Sequence, residues 1–329
     1  MRATISAVGH FAPDKRLTNR ELEEMVDTND EWIVSRTGIR ERRVLTPGLG
    51  TSEMAINASR MALESRGMDP GELDAILLAT VTPDNPVPGA VSLVQHSLGA
   101  DNCWGMDING GCTGFLCALA TGAQFIESGR YRKILVIGAD AMSSIIDYTD
   151  RNTCILFGDG AGAVVLEAAG SDEEGIVDFI LRLDGMGVPF LRVPAGGSAR
   201  PASAETVADR EHCVRQDGRT VFKHAVHGMV DVSERLLERQ GLSPSDVDLL
   251  IPHQANSRII DSVSRRLGLS PEQVFVNIQK YGNTTAATIP LAMSEAYRER
   301  RLSKGQWTLL TAFGAGFTWG SLLMRWTLD

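Results

Sequence analysis

Residues 62–78 read ALESRGMDPGELDAILL, and residues 236–251 read LLERQGLSPSDVDLLI. Gly67 corresponds to Gly241, Pro70 to Pro244 and Asp74 to Asp248, all at one offset. Each stretch reads as the end of an amphipathic helix, a glycine stop, a proline-containing turn and a short buried strand. Such units are common by chance, but three shared residues at fixed spacing favour duplication of a half-molecule. The separation is far too long for a solenoid repeat. After the first copy come a strand, the GGC corner at 110–112, a small-residue helix and the strand KILVIGAD at 133–140. After the second come VFVNIQKYGNTTAATIPLAMSEAYRERR at 274–301 and WTLLTAFGAGF at 307–317. Cys112 and Asn283 thus occupy equivalent strand-to-helix corners, which a pseudo-two-fold arrangement brings to the centre. Alternating strands and helices predict an α/β fold with buried, largely apolar strands. The run AAGSDEEG at 168–175 breaks the pattern, so the halves are expected to be 1–171, with Cys112, and 172–329, with His253 and Asn283. Residues 185–220 read as an irregular loop or insertion with no assignable chemistry.

The chain has 329 residues, 43% apolar and 22% charged, with a formal charge of −9. This is the composition of an ordinary globular enzyme with more than one small core. The acidic total argues against general nucleic-acid binding. Five cysteines, an odd number with no C-x-x-C, fit a reducing cytoplasm better than a disulfide framework. The N-terminus MRATISAVGHFAPDKR does not read as an export signal, and no apolar run reaches the roughly 18–20 residues of a membrane span.

Cys112 lies in DINGGCTGFLCALATGAQFIESG at 107–129. Two glycines permit a tight turn that would hold the sulfur at a helix start. Unpaired N–H groups and the helix dipole there favour a thiolate. A buried structural cysteine is the competing reading. His253 follows an apolar strand and a proline in IPHQANSRII, and Asn283 follows a glycine in KYGNTTAATIP. Singly, each is an ordinary residue of a turn or strand end. Together, the three sit where sites form in two-half α/β folds.

Six motifs then occur in order: DEWIVSRTGIRERR (30–43), GGCTGF (110–115), DRNTCILFGDGAGAVVL (150–166), HQAN (253–256), GNTTAATIP (282–290) and FGAGFTWGS (313–321). With them the chain resembles, over essentially its whole length, β-ketoacyl-acyl-carrier-protein synthase III, the initiating condensing enzyme of type II fatty-acid synthesis. The resemblance implies a thiolase-like fold with mixed sheets layered between helices (α-β-α-β-α), a homodimer, and no cofactor beyond a coenzyme A thioester substrate. It implies that Cys112 attacks an acyl-CoA, and that the backbone N–H groups of Cys112 and Ala315 form the oxyanion hole. His253, through Nε2–H, and Asn283 would donate to the enolate left when malonyl-acyl carrier protein loses CO₂, with Phe313 as an apolar wall. Trp32, Arg36, Arg151, Phe222 and Asn256 match positions that bind coenzyme A. Lys223, Arg258, Arg265 and Arg266 match positions that meet the acidic carrier protein. On charge alone, RTGIRERR reads as a solvated basic face. The loop TPDNPVPG at 82–89 matches a segment that reaches the partner's acyl pocket. Val87 stands there where phenylalanine is common, and with Met142 it would shape the starter pocket and leave room for a longer or branched acyl group.

Other readings remain at this point. A related Cys-His-Asn condensing enzyme of polyketide or other secondary metabolism shares these motifs. His224 and His227 have the spacing of a metal-ligand pair, but nothing completes a set and no metal is expected. GDGAGA at 158–163 lacks the spacing of a dinucleotide fingerprint or a Walker lysine, so its glycines read as turn and close-packing residues.

Overall fold

A computed structural model of the chain describes residues 2–171 and 174–329. The strands in chain order are β1 (Ala3–Phe11), β2 (Arg16–Thr18), β3 (Glu41–Arg43), β4 (Ala75–Ala79), β5 (Trp104–Ile108), β6 (Lys133–Ala141), β7 (Asp159–Ala168), β8 (Gly175–Leu183), β9 (Leu191–Arg192), β10 (Arg215–Gln216), β11 (Leu249–Pro252), β12 (Trp307–Gly314) and β13 (Thr318–Arg325). The α-helices are α1 (Asn19–Glu23), α2 (Asp30–Thr37), α3 (Thr51–Arg66), α4 (Ala90–Leu98), α5 (Gly114–Glu127), α6 (Ala204–Ala208), α7 (Gly218–Arg239), α8 (Ser257–Arg266), α9 (Ile278–Tyr281) and α10 (Thr288–Arg298).

Two mixed sheets carry the fold. One has the order β1-β7-β6-β4-β5 and the other β11-β12-β13-β8. Matched end to end, β1 answers to β8, β7 to β13, β6 to β12 and β4 to β11. Where the first sheet has β5, the second has only a single parallel bridge between Leu250 and Val274. The repeat explains the match locally. Gly67 and Gly241 end α3 and α7 at φ +64° and +68°, a conformation that favours glycine. Pro70 and Pro244 each begin a 3₁₀ turn. Asp74 N–H donates to Lys133 O, and its Oδ2 accepts from Arg132 N and Lys133 N at 2.6 and 2.9 Å. Asp248 N–H donates to Trp307 O, and its Oδ2 accepts from Trp307 N at 2.7 Å. In both copies the carboxylate fastens a strand to its parallel neighbour.

Side chains alternate across each strand, so both faces of each sheet need cover. Ile76, Leu78, Leu135 and Ile137 pack outward under α3 and α4, against Met54, Ala58, Ala62 and Val94. Leu77, Ile134 and Val136 face inward, with Phe115 and Leu119 of α5 and Ile289 and Met293 of α10. Leu249, Ile251, Leu310 and Leu322 of the second sheet meet the same layer. Leu250, Leu309 and Leu323 face outward beneath Met229, Leu236 and Val263 of α7 and α8. The result is five layers, α-β-α-β-α. The glycines of GDGAGA are close-packing residues: a β-carbon on Gly162 would lie 2.5 Å from Leu291 N, and one on Gly158 would collide with Tyr281 O.

Residues 185–220 are more ordered than expected. They hold a 3₁₀ turn (Gly185–Phe190), α6 and the β9–β10 ribbon, and Asp217 caps α7 by accepting from Arg219 N and Thr220 N. The expected half-boundary, between residues 171 and 172, borders residues 172 and 173, which lie outside the described residues.

Asp74→Ala and Asp248→Ala are each expected to lower stability by about 1–3 kcal/mol, with the larger loss at Asp74, whose carboxylate accepts two backbone bonds. Urea unfolding followed by circular dichroism checks the pair.

Candidate active site

The chain reverses after β5 through a 3₁₀ turn, Gly111–Thr113, that leads directly into α5. Gly111 has φ +56°, and a β-carbon on it would lie 3.3 Å from Ala315 N. A β-carbon on Gly314 would lie 2.7 Å from Cys112 N. The Cys112 turn and the β12–β13 turn are thus pressed together backbone to backbone. Thr113 Oγ1 seals the contact at 2.7 Å from both Gly110 O and Thr318 Oγ1. The non-glycine residues with positive φ among those described are Arg210, Thr285 and Arg300, so Ala315 adopts an ordinary conformation without strain.

His253 follows β11 and donates its backbone N–H to Thr311 O at 2.8 Å. Buried Gln254 behind it donates to Pro252 O and accepts from Asn277 N. The His253 ring puts Nδ1 2.6 Å from Thr288 Oγ1, which is itself 3.1 Å from Thr285 O. That hydroxyl has one proton for two acceptors. A donor role for His253 Nε2 therefore requires the Thr288 hydroxyl to donate to Nδ1, which stays unprotonated. Asn283 is held by a backbone bridge: its N–H donates to Leu156 O, and its carbonyl accepts from Gly158 N. Its Oδ1 accepts from Thr285 N at 2.9 Å, so its NH₂ group remains the free donor.

These residues share one cavity of about 710 Å³. Cys112, His253, Asn283 and Phe313 line its floor together, and Trp32, Arg36, Phe222, Asn256 and Arg258 line it as well. Asn256 Oδ1 caps α8 by accepting from Arg258 N, leaving its NH₂ for the cavity. The Arg151 guanidinium lies on the Trp32 indole, 4.4 Å from the ring centroid, with Arg36 at 5.5 Å. Phe313 packs with Phe317 and Trp319 at centroid distances of 4.9 and 6.4 Å. Lys223, Arg265 and Arg266 lie instead around a smaller hollow of about 350 Å³ between α7 and α8, with Phe222 in its wall. Val87 is 85% exposed and does not reach the cavity of its own chain. Met142 is buried in the cluster that contains the cavity residues Ile155 and Phe157. His224 packs against Phe317, and among the described residues no group of three or more His, Cys, Asp or Glu could hold a metal ion.

Three expectations change. The resting thiolate is not favoured: burial first, then the Asp140 carboxylate, pushes the Cys112 thiol up to about 12, while a backbone hydrogen bond opposes. Desolvation outweighs the helix N-terminus here. The run RTGIRERR is not wholly a solvated face. Arg42 is fully buried, donating to Leu17 O, Asn19 Oδ1 and Ile155 O, and burial draws it down to about 10. The irregular 185–220 segment supplies Leu191 and residues 216–219 to the cavity wall.

Asp140 was not singled out in the sequence. It is fully buried, and its Oδ1 accepts from Thr80 Oγ1, Val81 N and Thr82 Oγ1, while its Oδ2 accepts from Ala286 N at 3.0 Å. Burial pushes it up to about 6 against those hydrogen bonds. Asp140 therefore ties the 80–82 segment to the Asn283 corner. An acidic residue ending a strand gives no sign of this in sequence.

A cysteine at the central corner of a duplicated five-layer fold, in one cavity with a histidine and an asparagine, marks a thiolase-like acyltransferase. The model of 3-oxoacyl-[acyl-carrier-protein] synthase III matches residues 106–185, and the model of that family's C-terminal part matches 237–326. A β-ketoacyl-[acyl-carrier-protein] synthase III of Solibacter usitatus is 54% identical over 327 residues, 99% of both chains. The crystal structure of 3-oxoacyl-[acyl-carrier-protein] synthase III from Aquifex aeolicus superposes with TM-score 0.92 at 42% identity, covering 98% of this chain and 100% of that one. The priming β-ketosynthase of the R1128 polyketide pathway superposes with TM-score 0.91 at 34% identity, covering 99% and 96%. The chain belongs to the 3-oxoacyl-[acyl-carrier-protein] synthase III family.

Alkylation of Cys112 by iodoacetamide should be slow at pH 7 and accelerate through pH 9 and above, measured by peptide mass spectrometry. Burial alone lowers His253 from 6.5 to about 3. Between those values the unfolded chain binds a proton that the folded chain refuses, so this contribution to stability is complete above 6.5 and is lost as pH falls toward 3. Asp140, raised from 3.8 to about 6, acts in the opposite sense over its own interval. His253→Gln should therefore remove part of the acid loss of stability, seen as a shallower pH dependence of the urea midpoint between pH 4 and 6.5.

Proposed function

We propose that the protein condenses an acyl-CoA starter with malonyl-acyl carrier protein, giving a β-ketoacyl-acyl carrier protein, coenzyme A and CO₂, and so initiates fatty-acid synthesis. The observation that carries this reading is that Cys112, His253, Asn283 and Phe313 share one cavity with Trp32, Arg36 and Asn256. In the first half-reaction the Cys112 sulfur bonds to the acyl carbon, the bond to the coenzyme A sulfur breaks, and the thiol proton ends on the departing coenzyme A. The tetrahedral oxyanion would be met by the N–H groups of Cys112 and Ala315. Because Cys112 is buried, its proton leaves in concert with attack rather than beforehand.

In the second half-reaction the malonyl carboxylate sits against Phe313, whose apolar surroundings disfavour the charge and favour CO₂ loss. The Asn283 NH₂ and His253 Nε2–H would donate to the enolate oxygen. The carbanion then attacks the acyl-Cys112 thioester and frees the sulfur, which takes a proton from solvent. This chemistry calls on no cofactor beyond the thioester substrate. Trp32, Arg36 and Arg151 would bind the nucleotide, with Arg151 moving aside or stacking in turn, while Phe222 and Asn256 line the pantetheine path. Lys223, Arg258, Arg265 and Arg266 would meet the acidic carrier protein.

We also infer a cytoplasmic homodimer. Edge strand β5 with Trp104 39% exposed, and the projecting Val87, suit pairing with a second copy whose acyl pocket Val87 and Met142 would shape. No helix among the described residues is long and apolar enough to cross a membrane, and all five cysteines are free. The division at residues 171 and 172 is kept as the proposed boundary of the two halves.

Incubation with acyl-CoA followed by intact-mass measurement should add one acyl group to the wild type and none to Cys112→Ala. His253→Ala and Asn283→Ala should still gain it, yet release CO₂ from malonyl thioester about 10²–10³ times more slowly. An unmodified wild type would overturn the reading. Turnover of isobutyryl-CoA comparable to acetyl-CoA is expected from the small Val87, and strict acetyl preference would refute that part.

A further inference from the structure

Thr285 has φ +53°, a left-handed conformation that a β-branched residue rarely adopts. Its side chain gives no reason for this. The residue is 3% exposed, and its Oγ1 is buried without a hydrogen-bond partner among the described residues. Its backbone does give a reason. The N–H donates to Asn283 Oδ1 at 2.9 Å, which turns the Asn283 NH₂ outward. The carbonyl accepts from Thr288 N–H and so places Thr288, whose hydroxyl touches His253 Nδ1 at 2.6 Å. On one side the chain is pinned at Asn283 by Leu156 and Gly158, and on the other at Ala286 by Asp140 Oδ2. Between these two anchors the backbone must turn left-handed. Three residues earlier, at φ +65°, the chain uses Gly282, where a β-carbon would meet Leu156 O at 2.8 Å. At 285 there is a stiff threonine instead.

We infer that Thr285 is a positioning residue whose strained, stiff backbone holds Asn283 and the Thr288–His253 pair in one register for the malonyl half of the reaction. Strain of this kind persists where the surroundings over-determine it, and such residues gather at functional sites. A β-branched residue locked there has few other conformations to visit, whereas glycine has many. The turn that carries Cys112 packs against the Thr285–Ala287 turn but exchanges no hydrogen bond with Thr285, so acyl transfer to the sulfur is expected to depend on this residue far less than decarboxylation does.

The inference rests on the proposed roles of Asn283 and His253, and the variants separate the two. Thr285→Gly relieves the backbone strain and should be at least as heat-stable as Thr285→Ala. It should nonetheless lose about tenfold or more in decarboxylation of malonyl thioester, while Cys112 acylation and the KM for acyl-CoA change less than twofold. Thr285→Val keeps the branch and lacks only the unpartnered hydroxyl, so it should restore decarboxylation to within about threefold of wild type. Equal loss of acylation and decarboxylation in Thr285→Gly would reduce the residue to a general structural role and overturn the inference. Full decarboxylation in Thr285→Gly, or loss in Thr285→Val, would do the same. If Asn283→Ala itself decarboxylates normally, the underlying assignment fails and this inference falls with it.

Discussion

Two backbone hydrogen bonds at Asn283, one given to Leu156 and one taken from Gly158, join a first-half loop to a second-half corner. The arrangement of the cavity depends on this bridge. It requires glycine at 158 and 282, because a β-carbon on either would strike a carbonyl oxygen or the Arg42 side chain. Arg42 lies beneath the crossing and holds Ile155 O, one residue before the bridge. A buried cation costs several kcal/mol unless its donors are satisfied. Three oxygen acceptors around Arg42 meet most of that demand and fix the strip on which Asn283 rests.

The electrostatic character of the site follows from the same burial. Every ionisable group at its centre is pushed toward its neutral form: Cys112 and Asp140 upward, His253 downward. A resting site whose thiol and imidazole are uncharged suits a reaction whose charge arises on substrate oxygens, because donors held in place need not reorganise when that charge develops. A thiol that stays protonated at rest is also a weaker nucleophile toward adventitious electrophiles.

Much of this was legible in the sequence. The paired Gly, Pro and Asp of the repeat set the architecture, because each makes a backbone interaction that local sequence encodes. Cys112, His253 and Asn283 were visible as corners, and the structure brings them to one cavity, although Asn283 follows the short helix α9 rather than the expected strand. Less visible were effects made by distant chain. The neutrality of Cys112 depends first on burial and then on Asp140, which comes from β6. Arg42 looked like surface charge because its three acceptors lie far from it along the chain. Residues 216–219 reach the cavity only through the placing of α7, and the conformation of Thr285 reflects anchors on either side rather than its own preference.

The second sheet stops one strand short of the first. Beyond β11 there is only the contact of Val274 and Phe275 with Leu250, and that stretch closes the margin there. The strands β1 and β8 approach each other at their first residues, where a β-carbon on Gly175 would strike Ala3 O. Duplication has therefore been left incomplete in a way that matters for self-association. β5 ends its sheet with an open, strand-length border. Such a border suits pairing with a second copy of the chain, as proposed above.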